Sequence, residues 1–491
     1  MQGHLLLLWL CSLVSEPLAT NPSWTAEGNR AGAYFGWPVA SAGDVNGDGF
    51  SDVIVGAPRF DNGEAFEGKA FVYLGSATGL ALTPAWTAES NQVGAEFGDS
   101  VASAGDVNGD GFSDIIVGAF GFSNGESNEG RAFVYLGSAS GPALTPAWTA
   151  ESNKIFGWFG NSVASAGDVN GDGFSDVIVG AWNNPGARAF VYLGSSSGLA
   201  LSPTWTADGA GGFGMSVSSA GDVNGDGFYD VIVGASGFSN GESDEGGAFV
   251  YLGSAAGLAP TPAWTAESNQ AGALLGGSVA SAGDVNGDGF FDVIVGAVAF
   301  DNGEIDEGRA FVYLGSASGP ALTPAWTAES NQATAYFGNQ VASVGDVNGD
   351  GFSDVIVGAE CFDNGEADEG RAFVYLGSSA GLATNPTWTA ESNQASAHFG
   401  RFVASAGDVN GNIFSDVIVG AYQFASGESD EGQAFVYLGG STCSQASTST
   451  YGVGKPGLHG LPQLTSVPPS FGTSPTLLLS NTVTGLGVLF V

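Results

Sequence analysis

Basic residues are scarce: ten Lys and Arg stand against fifty Asp and Glu in 491 residues, a formal net charge of −40. A surface of that sign repels polyanions, which sets aside nucleic acid and anionic membranes as partners. Cysteine is scarcer still. Only three are present, one of them Cys11 in the N-terminal apolar stretch, so no disulfide framework can carry the fold. Helical periodicity is lacking, and no apolar run is long enough to span a bilayer. The run Leu5 to Val14 followed by Ser15-Glu16-Pro17-Leu18-Ala19 reads as a secretory signal peptide over residues 1–19. That reading places the protein outside the cell, secreted or at the cell surface. Within the repeated region His398 is the one histidine, and no nucleophile is paired with a base, so no catalytic residue is assigned.

What is abundant is one phrase, Asp-Val-Asn-Gly-Asp-Gly-Phe-x-Asp. It starts at Asp44 and returns at Asp106, Asp168, Asp222, Asp284, Asp346 and Asp408, at a spacing of 62 residues, shortened to 54 after Asp168. Carboxylates at positions 1, 5 and 9 with an amide at position 3 form an oxygen set for one hard cation, and Ca²⁺ is the natural choice. Glycine at position 6 permits the sharp turn. Six loops carry the full set: Asp44, Asn46, Asp48, Asp52; Asp106, Asn108, Asp110, Asp114; Asp168, Asn170, Asp172, Asp176; Asp222, Asn224, Asp226, Asp230; Asp284, Asn286, Asp288, Asp292; and Asp346, Asn348, Asp350, Asp354. The seventh, with Asp408, Asn410, Asn412 and Asp416, loses the charge at position 5 and has Ile413 for the turn glycine, and is expected to bind weakly or not at all. The alternative is a plain Asx-turn that holds its shape without metal. About six Ca²⁺ sites are therefore expected.

Around each loop stand four short β-favouring runs, in the first unit Val39 to Ala42, Val53 to Gly56, Ala70 to Leu74 and Ala85 to Ala88. The middle two are continuously apolar, as strands are when both faces of their sheet are buried. A four-stranded sheet covered on both faces and repeated in series is a propeller blade. There are seven Trp-Thr-Ala strands beginning at Trp24 and seven Phe-Val-Tyr-Leu-Gly strands ending at Gly439. The chain therefore starts with an outer strand and ends with a blade lacking one. An all-β, seven-bladed propeller over residues 20–440 follows, its ring closed by Trp24-Thr25-Ala26 pairing beside Phe435 to Leu438. Residues 441–491 read as a Ser/Thr/Pro/Gly-rich linker and a short β-prone tail, too mixed for a membrane span.

Phe35-Gly36 followed by Gly56-Ala57-Pro58 around such a loop resembles the FG-GAP repeat of the integrin α-subunit N-terminal propeller. The resemblance implies a seven-bladed propeller, Ca²⁺ between the first two strands of a blade, and a role in adhesion or ligand binding. Integrin leg domains and a membrane span have no counterpart here, so pairing with an integrin β subunit is not implied.

The third unit departs from the pattern, with a shortened hairpin at Trp182 to Arg188 and an approach segment containing Lys154, Phe156 and Trp158. Lys154, Trp158, Trp182 and Arg188 are a candidate ligand patch; packing of tryptophan against shortened loops is the other reading. Three functions stay open: a monomeric binding module for a protein or glycan, a Ca²⁺-dependent polysaccharide-active enzyme, or a purely structural surface protein. A unique acid, base or cationic cluster would separate them.

Overall fold

In the computed structural model, residues 17–182, 186–440, 464–466 and 477–479 are described. The expected signal peptide lies mostly outside them, as does most of the tail. Seven four-stranded antiparallel sheets follow one another along the chain and close into a seven-bladed propeller. In the first blade the strands are Val39–Gly43, Asp52–Ala57, Lys69–Tyr73 and Trp86–Glu89, running from the ring's centre outward. Every residue of the second strand is buried, because the adjoining blades cover both faces of its sheet. Ring closure is as the phasing required: Trp24–Glu27 pairs antiparallel with Gln433–Tyr437, with Trp24 opposite Val436 and Glu27 opposite Gln433. From residue 443 the chain forms a separate unit, in which Leu464–Ser466 pairs antiparallel with Leu477–Leu479.

The core lies between blades. Each of seven apolar clusters combines strands of two neighbours, for example Ile54, Val72 and Trp86 of the first blade with Phe97, Val101 and Val117 of the second. Each outer-strand tryptophan sits edge-on against a tyrosine of the next blade, as Trp86 does on Tyr135 at 4.9 Å. Its indole N–H donates to a loop carbonyl of that same blade, Ala143 O at 2.9 Å. Two glycines fix how closely blades approach. A methyl group on Gly56 would overlap the carbonyl oxygen of Gly98 in the second blade, and Gly98 itself has φ +86°. The same pairing joins Gly118 to Gly160, continues around the ring, and ends with Gly420 against Gly36. Phe-Gly of one blade and Gly-Ala of its neighbour are thus two sides of one contact.

The last blade borrows more from the N-terminus than a strand. Leu18 is fully buried, bridges to Gly439, and belongs to the cluster between the sixth and seventh blades. Ala19 N–H donates to Leu438 O at 3.0 Å, and Ala19 O accepts the Trp388 indole at 3.1 Å. Pro17-Leu18-Ala19-Thr20-Asn21-Pro22 therefore supplies the loop that Gly381-Leu382-Ala383-Thr384-Asn385-Pro386 supplies in the sixth blade. The sequence-based boundary at residue 20 cuts through this latch. A chain starting at Thr20 should be less stable than one starting at Glu16 by about 2–5 kcal/mol, the range for losing a buried leucine, as read by chemical denaturation. Gly234→Ala, whose methyl would overlap Gly276 O, should lower stability by about 1–3 kcal/mol in the same measurement.

Candidate functional site

The acidic loops all lie on one face of the disc, joining inner to second strands. In the first, Asp44 Oδ1 accepts the N–H groups of Gly47 and Asp48 at 2.7 and 3.1 Å, and Oδ2 accepts that of Gly49 at 2.8 Å. Asn46 Oδ1 accepts Asp48 N–H, and Asp48 Oδ1 accepts Phe50 N–H, both at 3.1 Å. Gly49 has φ +89°, where a side chain would be strained. Asp52 behaves differently from expectation. It is fully buried, and its two oxygens accept Val45 N–H at 2.9 Å and Gly75 N–H at 2.8 Å, since these buried donors require acceptors. Burial pushes its carboxyl up to about 7 against those two hydrogen bonds, with Asp44 and Asp48 adding repulsion. Asp114, Asp176, Asp230, Asp292, Asp354 and Asp416 make the same two bonds in their blades.

Among the described residues no three His, Cys, Asp or Glu side chains converge on a metal position by themselves. Cation ligation here would therefore need the asparagine and backbone oxygens as well as carboxylates. The donor set fits that role: Oδ2 of Asp44 and each oxygen of Asp52 keep a lone pair beyond their single N–H bond, and the crowded charge favours a counter-ion. The loops are also linked to one another. Ser113 N–H donates to Asp44 O, Ser175 N–H to Asp106 O, and so on until Ser51 N–H donates to Asp408 O, at 2.9 Å in each of these three. The seventh loop keeps the shape under strain: Ile413 has φ 73°, and Asn412 Nδ2 is drawn to Gly439 O at 3.0 Å.

The opposite face opens into a central cavity of about 670 Å³. The repeat breaks here. Immediately after Phe-Gly, or Leu275-Gly276 in the fifth unit, the seven units carry Trp37, Asp99, Asn161, Met215, Gly277, Asn339 and Arg401, all lining the cavity. Arg59, Glu96, Trp158 and Trp182 line it too. Asn161 and Asn339 are staples, donating to Met215 O at 3.0 Å and Arg401 O at 2.8 Å in the next blade. Arg401 pairs with Glu360 at 2.7 Å and lies 5.2 Å from the Trp37 ring centre; Arg59 lies 4.5 Å over Tyr34. Asp99 accepts a hydrogen bond from the Trp37 side chain, yet burial and the neighbouring Glu96 push its carboxyl up to about 7. Burial also raises Glu96, with Arg59 pulling it down.

The expected patch on the third blade divides. Trp158 and Trp182 come together with ring centres 5.0 Å apart and face the cavity. Arg188 does not join them, because its strand register places it opposite Asp208, with which it pairs. Lys154 is exposed and outside the cavity lining. Cys361 Sγ lies 3.7 Å from His398 Nδ1, and burial together with Glu360 and Asp368 raises its thiol, leaving it a poor nucleophile.

The FG-GAP repeat family matches residues 35–73, 276–313 and 337–375, and an FG-GAP-like repeat matches 106–179 and 168–233. The chain is an FG-GAP repeat protein. This FG-GAP propeller resembles that of integrin α subunits: it is 35% identical to integrin alpha-5 of Xenopus laevis over 193 residues, 36% of this chain and 18% of the relative. With integrin alpha-V of Gallus gallus the identity is 34% over 239 residues, 45% of this chain and 22% of the relative. The matched stretches are thus under a quarter of these relatives' length. The crystal structure of an exotype rhamnogalacturonan lyase aligns over 87% of this chain and 75% of its own, with 14% identity and a TM-score of 0.40, too low to bear on activity.

Sequence reasoning missed Trp37, Arg59, Glu96, Asp99 and Arg401 in this FG-GAP repeat protein. The available signal, for all but Arg59, was the pair of positions flanking Phe-Gly, at which all neighbouring units differ. Because the folded-state Asp99 binds its proton more tightly than an unfolded aspartate, stability attributable to it is present below about pH 4 and lost as pH rises towards about 7. Asp99→Asn should therefore melt like the native protein near pH 4 and above it near pH 8.

Proposed function

We propose that this FG-GAP propeller is an exported, calcium-stapled, non-catalytic module of the adhesion or ligand-binding kind, secreted or held at the cell surface as a monomer. The observation that carries the reading is the cavity mouth: the positions flanking Phe-Gly and following Gly-Ala differ between neighbouring blades in a chain whose strands and acidic loops otherwise repeat. A repeated scaffold with one asymmetric, concave face has the form of a recognition surface on a rigid frame. Similarity to integrin α subunits supports an adhesion-type role, with a protein or glycan as ligand.

Calcium would be held by the aspartates and asparagine of the six complete loops, from Asp44, Asn46, Asp48 and Asp52 through Asp346, Asn348, Asp350 and Asp354. Bound there, it supplies positive charge to crowded carboxylates. Because neighbouring loops are hydrogen-bonded, a cation in one steadies the next. One observation favours a second reading, a polysaccharide-active enzyme: Glu96 and Asp99 are two raised carboxyl groups in one cavity. Release of reducing or unsaturated ends from polysaccharides, lost in Asp99→Asn, would establish that reading and displace the first.

Calcium titration of the purified protein should give about six equivalents, and seven tight ones would contradict the assignment of the last loop. Asn412→Asp combined with Ile413→Gly should add one. Saturating Ca²⁺ should stabilise the fold by about 2.7 kcal/mol per site at a hundredfold excess over the dissociation constant, and chelator should remove that gain.

A further inference from the structure

Resting on the ligand-binding reading, we propose that the cavity mouth takes the end of a neutral saccharide, its ring face on the Trp158–Trp182 pair and its hydroxyls on Asp99, Glu96 and Arg59.

The shape argues for a compact ligand. A cavity of about 670 Å³ falls within the roughly 300–1,000 Å³ of small-molecule sites, whereas protein partners are met by flatter faces of about 800 Å² each. The lining is amphipathic, as a pyranose is. Trp37, Trp158 and Trp182 supply three indoles, and the two on the third blade, 5.0 Å apart with 41° between their planes, form a tilted aromatic pair that offers a ring face to C–H bonds.

Polar groups at the mouth are planar and held in place. Trp37 donates to Asp99, and Arg59 is stacked on Tyr34. Among the described residues no cation stands within ion-pairing distance of Glu96 or Asp99, which leaves the Glu96 carboxyl and the Asp99 acceptor capacity beyond the Trp37 bond to ligand hydroxyls. A carboxylate accepts from two adjacent hydroxyls, and a guanidinium fork donates to two adjacent oxygens, which suits a vicinal diol.

Charge narrows the class. Arg59 and Arg401 face Glu96, Asp99 and Glu360, and Arg401 already serves Glu360 at 2.7 Å. The balance is slightly acidic and the whole chain strongly so, which disfavours uronic and sialic acids. Blades four and five contribute only Met215 and Gly277 after Phe-Gly, leaving that side of the mouth open for the rest of the chain.

The test uses the purified full chain with Ca²⁺ on three immobilised panels: neutral gluco-, galacto-, manno- and xylo-oligosaccharides; sialylated and uronic oligosaccharides; and enzymatically deglycosylated proteins. Binding to a neutral oligosaccharide is expected. Trp158→Ala combined with Trp182→Ala should weaken it tenfold or more at an unchanged melting temperature. If that variant unfolds, Asp99→Asn and Arg59→Gln serve instead, with the same expected loss. Binding confined to acidic oligosaccharides or to deglycosylated proteins would overturn the saccharide assignment and leave the ligand-binding reading standing. Neutral-sugar binding unaffected by any of these variants would overturn the site. Silence on all three panels would overturn both.

Discussion

Seven sheets can share one ring only if their backbones approach closely where the inner and second strands begin and end. That approach is set by the contact between Gly56 and Gly98 and its six counterparts, where one blade's Phe-Gly carbonyl occupies the space a side chain would need on the next. Everything apolar depends on it. The fully buried Phe35, Phe97, Phe159, Phe337 and Phe399 fill the volume beside those glycines, and the clusters they join belong to pairs of blades. A single blade has no core of its own, so stability is a property of the neighbours and of the closed ring. Leu18 and Trp24 matter for that reason, as they complete the interfaces that the chain's ends would leave open.

Electrostatics follow the same repeat. Lys69, Arg131, Arg188, Arg309 and Arg371 each sit at the start of a third strand and pair with an acid at the end of the outer one. Partly exposed pairs of this kind contribute about 0–1 kcal/mol each, so they arrange charge more than they stabilise. They also use up half of the ten basic residues. Against that scarcity, the presence of both Arg59 and Arg401 at the cavity is informative. Twenty of the fifty acids stand in the loops of the other face with no basic residue among them, where hydrogen bonds have already shaped cradles whose charge calls for a cation. One face is thus built for holding the ring and the other is free to differ.

Much of this was legible in the residues. Continuous apolar second strands, phased against outer strands that begin with Trp24, determined the blade count and the closure, because a two-sided sheet and an unpaired edge each admit few solutions. The loop chemistry was legible through its spacing. Asp52 and its counterparts were less so, since the spacing marks them as oxygen donors and gives no sign that each also accepts two buried N–H groups. Arg188 and Trp182 are a few residues apart in a shortened hairpin, but register sends Arg188 to Asp208 and leaves Trp182 at the cavity.

By itself the sequence determined the repeat, the strand order, the ring and the oxygen-rich loops, all of which arise from local pattern and periodicity. Tertiary structure alone decided what meets at the mouth. Trp37, Asp99 and Arg401 are hundreds of residues apart at the extremes and follow no local rule. They converge because a closed ring brings the same position of every blade to one axis.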